Sequence, residues 1–88
     1  MAGAYVVLTA QAAERDLRRL DPQLFRRVVV HLKRLADDPR PSGCRKIVGS
    51  DHDWRIRVGD YRVVYEVDDA AHEVKIMRVR HRREVYLH

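Results

Sequence analysis

The sequence is poor in cysteine, proline, glycine and aromatic residues, and each shortage excludes something. Its single cysteine, Cys44, rules out an internal disulfide and any zinc site built on cysteines. Three prolines and four glycines in 88 residues are too few for a linker or a low-complexity tail, so a single domain over 1–88 is expected. No apolar run approaches the ~18 residues of a membrane span, and the N-terminus lacks a signal peptide's basic start and apolar centre. No membrane partner is expected, and the default location is the cytoplasm. The histidines show no HExxH-type ligand spacing, no serine stands in a nucleophile elbow, and no glycine-rich phosphate loop is present. Neither a metal nor a cofactor is expected.

What the chain has is positive charge. The net charge of +5 and pI of about 9.9 favour an anionic partner. Arginines far outnumber lysines, which suits planar recognition of phosphate or carboxylate. Four of the six residues from Arg78 to Arg83 are arginine.

The periodicities predict an α+β domain. Tyr5–Leu8 reads as an N-terminal strand, Thr9 as a helix N-cap, and Ala10–Leu20 as a first helix with Ala10, Ala13, Leu17 and Leu20 on one stripe. Asp21-Pro22 starts a second helix, with an N-cap acid followed by proline at the first helical position. Leu24, Val28, Leu32 and Leu35 then recur at helical spacing. Pro39, Pro41 and Gly43 end the helical hairpin. Cys44–Val48 reads as a strand. The hairpin of helices is expected to pack on a mainly antiparallel, twisted sheet of about four strands. The helix surface carrying Arg15, Arg18, Arg19, Arg26, Arg27, Lys33 and Arg34 reads as solvated, with nucleic acid or an acidic peptide as alternatives.

The run DWRIRVGDYRVVYEV (53–67) fixes the site. Gly59-Asp60 suits a two-residue primed turn. Arg57 then faces Arg62, Ile56 faces Val63 and Arg55 faces Val64. Trp54, Ile56, Val58, Tyr61, Val63, Tyr65 and Val67 form the core face, and Arg55, Arg57 and Arg62 share the other. Like charges directly opposed on a sheet are destabilising, so the arginine face implies an anion that offsets the repulsion. A last strand over Glu73–Arg82 is expected to turn Met77 and Val79 inward and Arg78, Arg80 and Arg82 toward the hairpin arginines. Such a face would bind phosphates by charge-assisted bonds and stabilise a phosphorane-like transition state. His81 is a candidate for proton transfer, and Tyr86 for proton transfer or for stacking an unpaired base.

Together with VRHRREVY (79–86), the order strand, helix hairpin, sheet and basic tail resembles the RelE toxins of the RelE/ParE toxin–antitoxin superfamily, over essentially the whole chain. The resemblance implies a ribosome-dependent endoribonuclease that cuts mRNA in the A site by metal-free attack of a 2′-hydroxyl. It implies a cognate antitoxin, the ribosome and mRNA as partners, and operator DNA only through the antitoxin complex. By position, Arg55 and Arg57 take the family's basic pair before the turn, Arg62 its arginine after the turn, Arg82 its late arginine and Tyr86 its base-stacking tyrosine. Arg78, Arg80 and Arg83 are then further RNA contacts. Family members often carry lysines where Arg55 and Arg57 stand, and an arginine is a poor general base. Either His81 takes the base or acid role, or the arginines act only electrostatically. The alternatives to an RNase are a ParE-like inhibitor of DNA gyrase and a non-toxic nucleic-acid-binding module of the same fold.

Overall fold

The alternation of apolar residues on the strands and their helical spacing between Ala13 and Leu35 bring both helices onto one side of the sheet. The computed structural model describes residues 4–85, for Glu84 and Val85 the backbone alone. The order is β1 (Val6–Thr9), α1 (Gln11–Arg18), α2 (Pro22–Arg34), β2 (Arg45–Lys46), β3 (Asp53–Val58), β4 (Tyr61–Asp68), β5 (Glu73–His81) and α3 (Arg82–Val85). The sheet has five strands in the order β1-β5-β4-β3-β2, one more than expected, and only β1 against β5 is parallel.

The helix hairpin starts where the sequence places it. Asp21 Oδ1 accepts from the Leu24 N–H at 2.9 Å, and Pro22 opens α2. Thr9 is not the cap of α1. It pairs with Ile76 as the last residue of β1, and Ala10 caps the helix without a side-chain bond. The expected strand at Cys44–Val48 shrinks to Arg45 and Lys46.

Val28, Leu35, Val63, Tyr65, Val74 and Ile76 are fully buried between the helices and the sheet. At about 25 cal/mol per Å² of apolar surface, each contributes roughly 1.5–3 kcal/mol relative to exposure. Tyr65 also needs a partner for its hydroxyl, which donates to the Pro39 carbonyl at 2.8 Å. Burial there pushes its phenol pKa well up.

The β3–β4 register is the predicted one, with Val58 opposite Tyr61 and Arg57 opposite Arg62. Gly59 alone takes positive φ in the turn, at 60°, as a II′-type bend requires. β5 departs from simple alternation. Val64 pairs with Arg78 but Tyr65 pairs with Ile76, leaving Met77 as an extra residue. This bulge puts Val74 and Ile76 in the core before it and Val79 in the core after it. The expectation that Met77 itself points inward is corrected. It is the half-buried bulge residue.

Candidate nucleic-acid interface

The sheet face away from the helices is where the arginines collect. Opposed residues share a face with Cβ atoms about 4.5–5.5 Å apart. Two rows follow from the pairing. Arg45 of β2 lies opposite Arg55 of β3, and Arg57, Arg62 and Arg80 run in line across β3, β4 and β5. Arg45 and Arg57 are exposed, and Arg55 and Arg80 are half-buried. A cleft of about 270 Å³ opens between Gly43, Arg45, Arg55, Ile56 and Arg57.

Arg62 differs from the expectation of an exposed side chain. Only 4% of its surface meets solvent, because β4 is the central strand and its neighbours in the row are long arginine side chains. Both Arg62 and Arg80 engage further partners. The middle of the row is therefore held rather than waving in water.

Arg78 has a different task from the one expected. Its Nε and Nη2 donate to the two carboxylate oxygens of Asp16 on α1, at 2.9 and 3.1 Å. The Val79 N–H, beside the bulge, also donates to Asp16 at 2.9 Å. Asp16 is buried. Burial raises its pKa, but the bonds from Arg78 and Val79 outweigh that and hold the carboxyl below its usual range. An acid on the stripe that holds Ala13, Leu17 and Leu20 was the sequence signal for a buried cation partner.

His81 is not brought to the arginine face. It pairs with Tyr61, one residue past the Arg62–Arg80 row, and strand alternation turns it to the helix side. Its ring meets Tyr61 edge-on at 5.3 Å. Its Nδ1 accepts from the Arg83 N–H at 3.2 Å, so the neutral ring carries its proton on Nε2. There it lines a groove of about 440 Å³ with Asp21, Leu24, Arg27 and Asp60.

Arg82 is not a strand residue. It opens α3, its N–H donating to the Asp60 carbonyl at 2.8 Å, which ties the start of α3 to the tip of the β3–β4 hairpin. Arg82 and Arg83 are exposed. Tyr86 lies outside the described residues.

Two features escaped the sequence. One is Arg45, whose place depends on a two-residue strand. The other is a cluster at the far end of the sheet. Arg40 donates to both carboxylate oxygens of Asp69, at 3.2 and 2.7 Å, and stands 5.2 Å over the Trp54 ring. The Tyr5 hydroxyl donates to the same carboxylate at 2.6 Å. These bonds, Arg40 first and Tyr5 second, hold the Asp69 pKa down at about 2. The cluster joins the residue before β1, the α2–β2 loop and the β4–β5 turn.

Residues 7–86 match the family model described as the ParE toxin of the type II toxin–antitoxin system, parDE. Toxin RelG of Mycobacterium tuberculosis (strain ATCC 25618 / H37Rv) is 34% identical over 86 residues, covering 93% of this chain and 95% of that protein. Among solved structures, the archaeal RelE–RelB complex from Pyrococcus horikoshii OT3 superposes with a TM-score of 0.81 at 27% identity, over 90% of this chain and 96% of that one. The toxin–antitoxin complex RelBE2 from Mycobacterium tuberculosis gives 0.77 at 30% identity, over 89% and 98%.

Proposed function

Because the chain belongs to the ParE toxin family of type II toxin–antitoxin systems, within the RelE/ParE superfamily, we propose that it is the RelE-like kind of toxin, a ribosome-dependent endoribonuclease that cuts mRNA in the A site. The observation that carries this is the pair of arginine rows, Arg45–Arg55 and Arg57–Arg62–Arg80, on one face of the sheet. Its partners are then mRNA on the ribosome and a cognate antitoxin, as the RelE–RelB complexes suggest for their relatives.

In the proposed reaction the RNA 2′-oxygen attacks the adjacent phosphorus. The new P–O2′ bond forms as the P–O5′ bond breaks, leaving a 2′,3′-cyclic phosphate and a 5′-hydroxyl. Negative charge builds on the non-bridging oxygens, and Arg55, Arg57 and Arg62 offset it. Arg82 donates a hydrogen bond to the departing 5′-oxygen, which takes its proton from water to become the 5′-hydroxyl, and Tyr86 stacks a base of the message. Arginine stays protonated, and His81 sits on the helix side of the sheet, so the arginines act electrostatically and the 2′-proton leaves to solvent base. The rate should therefore rise with pH without a histidine inflection. A step near the ordinary histidine pKa of about 6.5, abolished in His81→Gln, would refute that division of roles.

The test is mRNA end mapping in a reconstituted translation reaction. Arg57→Ala and Arg82→Ala are each expected to slow cleavage by about 10²–10³, the usual loss for one transition-state donor. Undiminished cleavage by the double variant removes the proposal. The family model's own description favours a second reading, a ParE-like gyrase inhibitor. A supercoiling assay separates the two, since only that activity traps gyrase on DNA.

A further inference from the structure

The sheet ends unevenly along β3. β2 pairs only with Trp54 and Arg55, so the stretch from Ile56 to Val58 is an open edge. The ladder sets the direction of the backbone groups there. The Ile47 N–H donates to the Asp53 carbonyl at 2.9 Å, so Asp53 turns toward β2, and Arg55 and Arg57 turn the same way at steps of two. Arg55 meets Arg45. Arg57 would meet Gly43, but Gly43, at a φ of 91°, leaves the ladder and no backbone bond joins the two. One N–H and one C=O of Arg57 therefore face outward side by side.

A groove passes this edge. The cleft at Arg45 and Arg55 shares Gly43, Ile56 and Arg57 with a second cavity of about 350 Å³. The other walls of that cavity are His31 and Arg34 of α2 and Pro41 and Ser42 of the loop after it. The groove thus leads from the arginine face, over the edge of β3, toward α2. Its lining changes on the way, from guanidinium groups to the apolar Ile56 and Pro41 and the half-buried His31 ring. The His31 Nδ1–H donates to the Arg27 carbonyl at 2.9 Å, which orients the ring and leaves Nε2 as an acceptor in its neutral form.

A phosphate by itself has no use for the apolar end. A peptide strand adding to the sheet needs a run of backbone pairs. This edge offers one, because Gly59, the next residue of the series, lies in the turn. An unpaired base needs a ring to stack on, apolar walls and a few donors and acceptors for its edge. His31 supplies the ring. Its Nε2 and the Arg57 carbonyl accept from base N–H groups, and the Arg57 N–H donates. Arg34 adds a donor for N7, an acceptor that both purines carry and pyrimidines lack.

We propose that this groove is a base subsite, which takes one unpaired purine of the RNA strand whose phosphate lies on Arg45, Arg55 and Arg57. The inference rests on the proposed action on mRNA and deepens it, by naming the residues that select the nucleotide beside the bound phosphate.

The experiment is fluorescence anisotropy with the full chain and end-labelled single-stranded 2′-O-methyl RNA hexamers, which cannot be cut because the attacking hydroxyl is blocked. One hexamer is all uridine, and others carry a single adenosine or guanosine at a central position. The parent should bind a purine-bearing hexamer at least about fivefold more tightly than the uridine hexamer, the lower end of what stacking one base yields. The His31→Ala/Arg34→Gln double variant should lose that preference while holding the uridine hexamer like the parent. His31→Phe, which keeps the stack, should retain most of it. Arg45→Gln should weaken all the hexamers alike, as a phosphate contact does. Equal binding of all hexamers by the parent overturns the proposal, as does a purine preference that survives the double variant. Guanosine 5′-monophosphate competing as well as the hexamer would overturn the assignment to an RNA strand. An alternating Glu-Val octapeptide that displaces the hexamer more readily than unlabelled hexamer does would show a peptide strand to be the occupant instead. No ribosome is present, so the two readings separate. A purine preference in a protein that leaves mRNA intact counts against the nuclease alone, and cleavage without a purine preference counts against the subsite alone.

Discussion

At position 62 a guanidinium lies almost out of water, whereas at position 57 its neighbour in the row is exposed. The two should answer mutation differently. Arg62→Ala removes a packed aliphatic stem as well as a charge, and should lower stability by about 2 kcal/mol. Arg57→Ala should stay within about 0.5 kcal/mol of the parent. Urea denaturation measures both, and it separates lost folding from lost cleavage. Asp69 supplies a second residue-scale expectation. Its folded pKa of about 2 lies below that of an ordinary carboxylate. The contribution to stability is therefore complete above the unfolded pKa and disappears as pH falls through the folded value. Thermal melts of the parent and Asp69→Asn should differ at pH 6 and converge as pH approaches 2. The sequence showed that Arg55, Arg57 and Arg62 share a face, because alternation needs only a register. It could not show that Arg62 is buried, which depends on the order of strands. Nor could it bring Arg40 to Asp69, since the loop and the turn carrying them meet only in three dimensions.

On the scale of elements, the β3–β4 hairpin was legible, and so was the extent of β5, but not which of its residues face the core. Gly59-Asp60 specifies its own turn, and the turn fixes every pair behind it. Gly59→Ala would leave its Cβ in ordinary contact, 3.7 Å from the Arg27 guanidinium, but at a φ of 60° that favours glycine. A loss of about 1 kcal/mol is expected, read from the denaturation midpoint. In β5 the sequence offered two incompatible alternations, Val74 and Ile76 against Met77 and Val79. The bulge resolves the conflict by inserting one residue between them. Asp16 secures that insertion, taking the Val79 N–H together with Arg78. Asp16→Ala should cost about 1–3 kcal/mol, as it leaves the buried Val79 N–H without its acceptor. Asp16→Asn keeps an acceptor and should cost less. If the two variants melt alike, Asp16 is not holding the bulge.

For the molecule as a whole, charge is distributed on two sides of a thin domain, with the core between them. An anion that binds the folded state alone stabilises it by mass action. Inorganic pyrophosphate should raise Tm more than sodium chloride at equal ionic strength. The excess should shrink in the Arg57→Ala/Arg80→Ala double variant, which differential scanning fluorimetry can follow. The α+β class and the helices' place on one side of the sheet were readable from periodicity. The fifth strand's role was not, because a parallel partner leaves no local turn to announce it.

That parallel pairing joins segments far apart along the polypeptide. Val6 to Thr9 are synthesised well before their ladder partners, Glu73 to Ile76. A nascent chain leaving the ribosome can form its helices and its central hairpin early, but β1 must wait, unzipped, until β5 has been made. A polypeptide stalled before residue 73 carries the arginine pairs of the hairpin without the strand that completes them.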